Sequence, residues 1–133
     1  MRVIKVCVIM LIVSLMACQS EVKVSGAFES SVESPFIHTV YFWFKEDVTH
    51  LEVKEFAEAS KSLAKIEGVL KVYDGTPAAT DRPRLEKSYD YALVVLMKDI
   101  IAHDAYQQDP IHLKLLSTYS SMFDRILVTD IDK

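Results

Sequence analysis

The chain has 133 residues, the size of a single domain, and half of them are hydrophobic. Its 19 acidic residues outnumber the 15 basic ones, which gives a formal net charge of −4 at pH 7. Binding to nucleic acid or to anionic lipid headgroups by charge requires a basic surface, so this composition argues against both functions.

The first 17 residues have the pattern of a signal peptide. Arg2 and Lys5 are followed by an apolar run, residues 6–16, that is too short to cross a bilayer. The run ends in Leu-Met-Ala and then Cys18, which resembles the lipobox of bacterial lipoproteins. The resemblance implies that residues 1–17 are removed and that a lipid on Cys18 anchors the protein at the cell envelope, in the outer membrane of a Gram-negative host. An ordinary secretory signal with an incidental cysteine is the alternative.

Residues 18–35 are predicted to form a flexible tether. They are rich in Ser, Glu and Val and show no sustained helical or strand period. The only other cysteine, Cys7, lies in the predicted leader, so no free thiol remains for cysteine catalysis or for a thiolate metal site. The folded domain is expected at residues 36–133.

The domain begins with a strong strand signal at residues 36–44, which are aromatic and β-branched. Because side chains alternate across a strand, Phe36 and His38 lie on one face, whereas Tyr41 and Trp43 lie on the other. Both faces are largely apolar, which indicates that both are covered. We expect helices of the same chain on one face and a partner subunit on the other.

Caps and stops define the elements that follow. Thr49 and Glu52 form a capping box, Gly68 is the expected stop of that helix, and Asp109 with Pro110 begins a later one. The further elements are strands at 69–74 and 89–97, a short helix from Asp99 to about Gln107, and a last strand at 125–132. This order predicts an α+β fold, a ferredoxin-like β-α-β-β-α-β sandwich with a broken second helix.

Several short motifs occur in the order expected of one known family. They are His38-Thr39-Val40, Gly68-Val69, Gly75, the strand at 89–95, and Tyr106-Gln107-Gln108-Asp109-Pro110-Ile111-His112. Together they resemble the Dabb family of stress-responsive dimeric α/β-barrel domains. The resemblance implies a homodimer in which two four-stranded sheets close a dimeric α/β barrel with the helices outside.

The resemblance also implies a catalytic pair. A plant member of the family closes a polyketide chain by aldol chemistry, and its catalytic tyrosine and histidine fall on Tyr106 and His112, with a second pocket histidine on His38. Such chemistry needs a base with a pKa near 7 and a donor for the enolate oxygen. At a helix start, the dipole would keep His112 neutral, and Tyr106 would orient its ring or donate to the substrate.

We expect these three residues to line a pocket with an apolar surround of Val40, Phe42, Phe56, Leu116 and Tyr119. The foremost function is then binding of a small hydrophobic or aromatic molecule. One alternative is a cyclase or isomerase with His112 as the base and Tyr106 as the donor. Another is a structural oligomer in which these residues only fill the core. No cofactor is expected.

His103 departs from the family pattern, in which its position is usually aliphatic. It would add a polar group to the pocket or point to solvent. No pair among His38, His103 and His112 has the i, i+4 spacing of metal ligands on one helix, so no metal site is predicted.

Overall fold

A computed structural model of the chain describes residues 35–132. The predicted signal peptide, Cys18 and most of the tether lie outside the described residues. The elements within this range are β1 (Phe36–Phe44), α1 (His50–Ser60) with a 3₁₀ turn at Lys61–Lys65, β2 (Val69–Gly75), β3 (Tyr91–Met97), α2 (Ile100–Gln108), α3 (Pro110–Tyr119) with a 3₁₀ turn at Ser120–Met122, and β4 (Phe123–Ile131). Within these residues, no helix is long and apolar enough to cross a membrane.

The four strands form one antiparallel sheet in the order β2-β3-β1-β4. The predicted ferredoxin-like α+β fold is therefore confirmed. The starts of two strands differ from prediction by two residues each, and the ends of β2 and β4 differ by one. β3 begins at Tyr91, and Asp90 lies in the bend before it, where its carboxylate accepts a hydrogen bond from the Phe44 amide at 2.8 Å. β4 begins at Phe123, which pairs with Phe44 of β1.

Side-chain caps fix the ends of the helices. The Thr49–Glu52 capping box is present at the start of α1, and Asp109 accepts a hydrogen bond from the Ile111 amide at 2.7 Å to begin α3. Gly68 precedes β2 with a φ of 84°, and a Cβ there would lie 2.6 Å from Cβ of Ala102. Only glycine satisfies both constraints, so the close approach of α2 to this turn depends on Gly68.

The two faces of the sheet differ in burial. The helix-facing side chains of β1 are buried, whereas Tyr41, Trp43 and the others on the opposite face are only half-buried. Tyr41 lies between Ala92 of β3 and Leu127 of β4 in the strand register, and the Leu127 side chain is exposed. The outer face therefore remains an apolar surface that the domain's own helices do not cover.

Candidate functional site

A cavity of about 270 Å³ lies between the helix-facing side of the sheet and helices α2 and α3. It reaches the surface beside the edge strand β4, where Ile126 and Val128 are 44% and 48% exposed. Its walls are mainly apolar, with polar side chains concentrated at one end. The lining residues are His38, Val40, Phe42, Phe56, Leu93, His103, Tyr106, Gln107, His112, Leu115, Leu116, Phe123, Ile126, Val128 and Asp130.

The Asp109-Pro110 break between the two helices brings Tyr106 and His112 together. Tyr106 lies in the last turn of α2 and His112 in the first turn of α3. Their ring centroids are 4.4 Å apart with the planes tilted by 35°. Both side chains are buried, so the pair forms part of the inner wall of the cavity.

Burial gives the two members of this pair opposite proton preferences. Desolvation lowers the pKa of His112, and the neighbouring His38 and His103 lower it further. The Gln107 carbonyl oxygen, 3.4 Å from His112 Nδ1, and the Asp109 carboxylate oppose this shift without cancelling it. Burial raises the pKa of Tyr106, which keeps its hydroxyl protonated. At neutral pH the site therefore presents a neutral imidazole base next to a phenol donor.

His38 is held by a carboxylate on the neighbouring strand. It is the register partner of Asp130, and both side chains lie on the helix-facing side of the sheet. His38 Nδ1 is 2.7 Å from Asp130 Oδ1. The His38 ring centroid lies 5.8 Å from that of Tyr106. This pair fixes the orientation of a buried imidazole at the cavity wall.

Most of the site residues predicted from the sequence line this cavity, and Tyr119 does not. His38, Val40, Phe42, Phe56, Tyr106, His112 and Leu116 are all in the wall. Tyr119 lies at the end of α3, where the helix passes over α1, and its ring packs edge-on against Phe56 at 5.5 Å. The helical period places Tyr119 on the face of His112, but at that turn the side chain packs against α1 and does not reach the cavity.

Three polar lining residues are outside the predicted set of site residues, although the sequence left open that the first of them adds a polar group to the pocket: His103, Gln107 and Asp130. His103 Nε2 is 3.0 Å from the Gln107 side-chain nitrogen, and His103 Nδ1 is 3.2 Å from Asp104 Oδ1. For His103, the sequence signal was its departure from the family pattern, in which this position is usually aliphatic. Asp130 carries no local signal, because only its pairing opposite His38 brings it to the cavity.

One polar cluster has a composition that bears on metal binding. His38, His103 and Asp130 each offer a potential ligand atom, and these atoms lie within 4.8 Å of one another. The prediction that no metal binds rested on ligand spacing within one helix. In the structure the three residues come from β1, α2 and β4, an arrangement that spacing along the chain does not reveal.

Residues 36–133 match the model of a protein family described as the Stress responsive A/B Barrel Domain, or Dabb. No functionally curated protein matches the chain at a significant level.

The structure is similar to several solved structures. A Dabb family protein with a ferredoxin-like fold from Mesorhizobium loti is 23% identical, with a TM-score of 0.61, covering 76% of this chain and 98% of its own. A dimeric ferredoxin-like protein from Thermobifida fusca is 21% identical, with a TM-score of 0.64 and coverages of 75% and 92%. A hydroxynitrile lyase from Passiflora edulis is 16% identical, with a TM-score of 0.63 and coverages of 74% and 93%. At these identities the likeness establishes the fold.

Proposed function

The chain belongs to the Dabb family of stress-responsive A/B barrel domains, and we propose that it is an envelope-anchored lipoprotein that binds a small hydrophobic or aromatic molecule. The cavity lined by His38, Tyr106 and His112 carries the binding proposal. The lipobox-like sequence before Cys18 carries the anchoring proposal.

The size and chemistry of the cavity define the ligand class. A protein cavity of roughly 150 Å³ accommodates benzene, so 270 Å³ suits a substituted compound of one or two rings. Its aliphatic and aromatic walls favour an apolar body, whereas the Tyr106 hydroxyl and the two histidines at one end favour a carbonyl or hydroxyl on the ligand. A purely structural oligomer would be expected to fill this space with side chains.

The outer face of the sheet supports a homodimer. Ile37, Tyr41, Val94, Leu96 and Leu127 form adjoining rows on this face by strand register. A monomer would leave this apolar surface in water, and a second copy of the chain would bury it. The structurally similar protein from Thermobifida fusca is dimeric, which is consistent with this arrangement.

Native mass spectrometry of the full-length protein, purified in a mild detergent, tests the binding proposal. We expect one small organic molecule per subunit to copurify and to be released on denaturation. Its identity would then guide a series of related compounds in binding measurements. The binding proposal would be refuted if no ligand copurified and if no compound in a library of substituted one- and two-ring aromatics raised the melting temperature.

An enzyme that transfers protons is the second candidate. It is favoured by the contact between Tyr106 and His112 and by the lowered pKa of His112, which together provide a base and a donor in a buried site. The similarity to the hydroxynitrile lyase from Passiflora edulis adds a precedent for catalysis on this fold. Exchange of a carbon-bound hydrogen of the copurified ligand with D₂O, lost in His112→Ala, would favour this candidate.

A further inference from the structure

We propose that His38, His103 and Asp130 bind a divalent transition-metal ion, with zinc as the expected occupant and an open coordination position facing the cavity. The three residues come from β1, α2 and β4, and their potential ligand atoms lie within 4.8 Å of one another. The site is distinct from the Tyr106–His112 pair, although both belong to the same cavity wall.

The donor set selects the class of metal. Two imidazoles and one carboxylate suit Zn²⁺ and the neighbouring first-row ions, whereas Ca²⁺ and Mg²⁺ prefer ligand sets made of oxygen. Three protein ligands with a fourth position left open is the pattern of a reactive zinc site, in contrast to the four protein ligands of a structural one.

The distances require only a small adjustment. Ligand atoms bound to one tetrahedral zinc at about 2.1 Å lie about 3.4 Å from one another. His38 and Asp130 are already closer than this, with 2.7 Å between Nδ1 and Oδ1. Asp130 is on the edge strand with a side chain 39% exposed, so its carboxylate has room to turn towards an ion. His103 is the ligand that must approach.

The surroundings of His103 favour a metal-binding tautomer. The Asp104 carboxylate lies 3.2 Å from His103 Nδ1, and accepting a hydrogen bond from that nitrogen would leave the lone pair on Nε2. A carboxylate on the distal nitrogen of a histidine is the usual way in which proteins orient a metal-binding imidazole. The Gln107 side chain, 3.0 Å from Nε2, would have to turn aside when the ion binds.

The open coordination position would point into a cavity whose walls are mainly apolar. His38 and His103 are largely buried, and their ring centroids lie 5.4 Å apart beside the ring of Tyr106. A ligand with a carboxylate, phenol or carbonyl oxygen could therefore coordinate the ion while its apolar body occupies the cavity. Metal binding itself does not depend on such a ligand.

Calorimetric titration of the full-length protein, stripped with EDTA, with ZnCl₂ tests the proposal. We expect one Zn²⁺ per subunit in the wild type, and the same stoichiometry with Co²⁺, whose visible absorption would report tetrahedral or five-coordinate nitrogen and oxygen ligands. His103→Leu and Asp130→Asn should each weaken Zn²⁺ binding by about a hundredfold or more. His50→Ala removes an exposed histidine outside the cavity and should bind as the wild type does.

His103→Leu is chosen because its position tolerates an apolar side chain facing Phe36, whose ring lies 4.6 Å from the imidazole. Circular dichroism and thermal melts without metal should show that both variants remain folded. If a folded wild type takes up no Zn²⁺ at micromolar concentrations, or if both His103→Leu and Asp130→Asn bind as tightly as His50→Ala, the metal site is refuted. Ligand copurification is a separate measurement, so either proposal can fail alone.

Discussion

The ring of His112 lies 4.4 Å from the ring of Tyr106, although the two residues belong to different helices. The contact depends on the break at Asp109-Pro110, where Asp109 ends α2 in an extended conformation and caps α3. An unbroken helix would place residues six positions apart about 120° apart around its axis and about 9 Å apart along it. A local stop signal in the sequence therefore creates the central contact of the cavity.

The outer face of the sheet leads to the first prediction. Tyr41→Glu should convert a dimer into a monomer or an aggregate, because an unpaired charge buried in an interface costs about 3–5 kcal/mol. Light scattering coupled to size-exclusion chromatography measures the mass. Tyr41 is a better choice than Trp43, because the Arg125 guanidinium lies 4.2 Å from the Trp43 ring and would pair with a new carboxylate.

Ser117→Glu is the matched control for Tyr41→Glu. It introduces the same charge on the exposed side of α3 and should leave the oligomeric state unchanged. A wild-type protein that runs as a folded monomer at micromolar concentration would contradict the proposed assembly.

The turn before β2 provides a prediction about stability. Gly68→Ala should lower the free energy of unfolding by about 2–4 kcal/mol, because the new Cβ would strain the left-handed backbone at this position and would also clash with Ala102. Gly75→Ala is the control, since a Cβ at Gly75 meets no atom within 4 Å, and its effect should stay within about 0.5 kcal/mol. Urea denaturation measures both. Equal effects of the two substitutions would mean that α2 does not pack tightly on this turn.

Much of this architecture was predictable because its signals are local. The capping box at Thr49, the Asp109-Pro110 helix start and the bounds of β1 each follow from a few neighbouring residues. The pairing of His38 with Asp130 was not predictable in this way, because it depends on the register between strands that are distant in sequence. The position of Tyr119 follows from where α3 crosses α1, which the helical period alone does not specify.

The lipobox-like sequence predicts a lipid anchor. Cys18→Ala should abolish metabolic labelling with palmitate and release the protein from membranes, because the acyl chains are attached through this cysteine. Cys7→Ala, within the predicted leader, should label and fractionate as the wild type does. Labelling that persists in Cys18→Ala would exclude this residue as the lipidation site.

The lowered pKa of His112 predicts how stability depends on pH. In the unfolded chain a histidine has a pKa of about 6.5. As the pH falls through this value, this histidine binds a proton in the unfolded state, whereas folded His112, with its lowered pKa, remains neutral. Folding stability should therefore be greatest above about pH 6.5 and fall below it until folded His112 also titrates. His112→Gln should flatten this part of the profile measured by urea denaturation. A wild-type profile that His112→Gln leaves unchanged would show that His112 is not the responsible group.

The last prediction separates a binding role of His112 and Tyr106 from a packing role. A ligand at a hundredfold excess over its Kd stabilises the folded state by about 2.7 kcal/mol, and a tenfold weaker ligand by about 1.4 kcal/mol. Tyr106→Phe removes only a hydroxyl, so it should change the ligand-free stability by less than about 1 kcal/mol while weakening ligand binding about tenfold. His112→Ala should nearly abolish the ligand-induced rise in Tm and lower the ligand-free stability by about 1–2 kcal/mol. Thermal melts with and without the copurified molecule provide all these values.

Leu116→Ala, which trims the apolar wall at a 40% exposed position, is the control and should retain most of the response. If His112→Ala instead loses much more stability and keeps the full ligand response, the histidine only packs in the core. A side chain that only packs changes the free energy of unfolding equally with and without ligand, so it leaves the ligand-induced stabilisation unchanged.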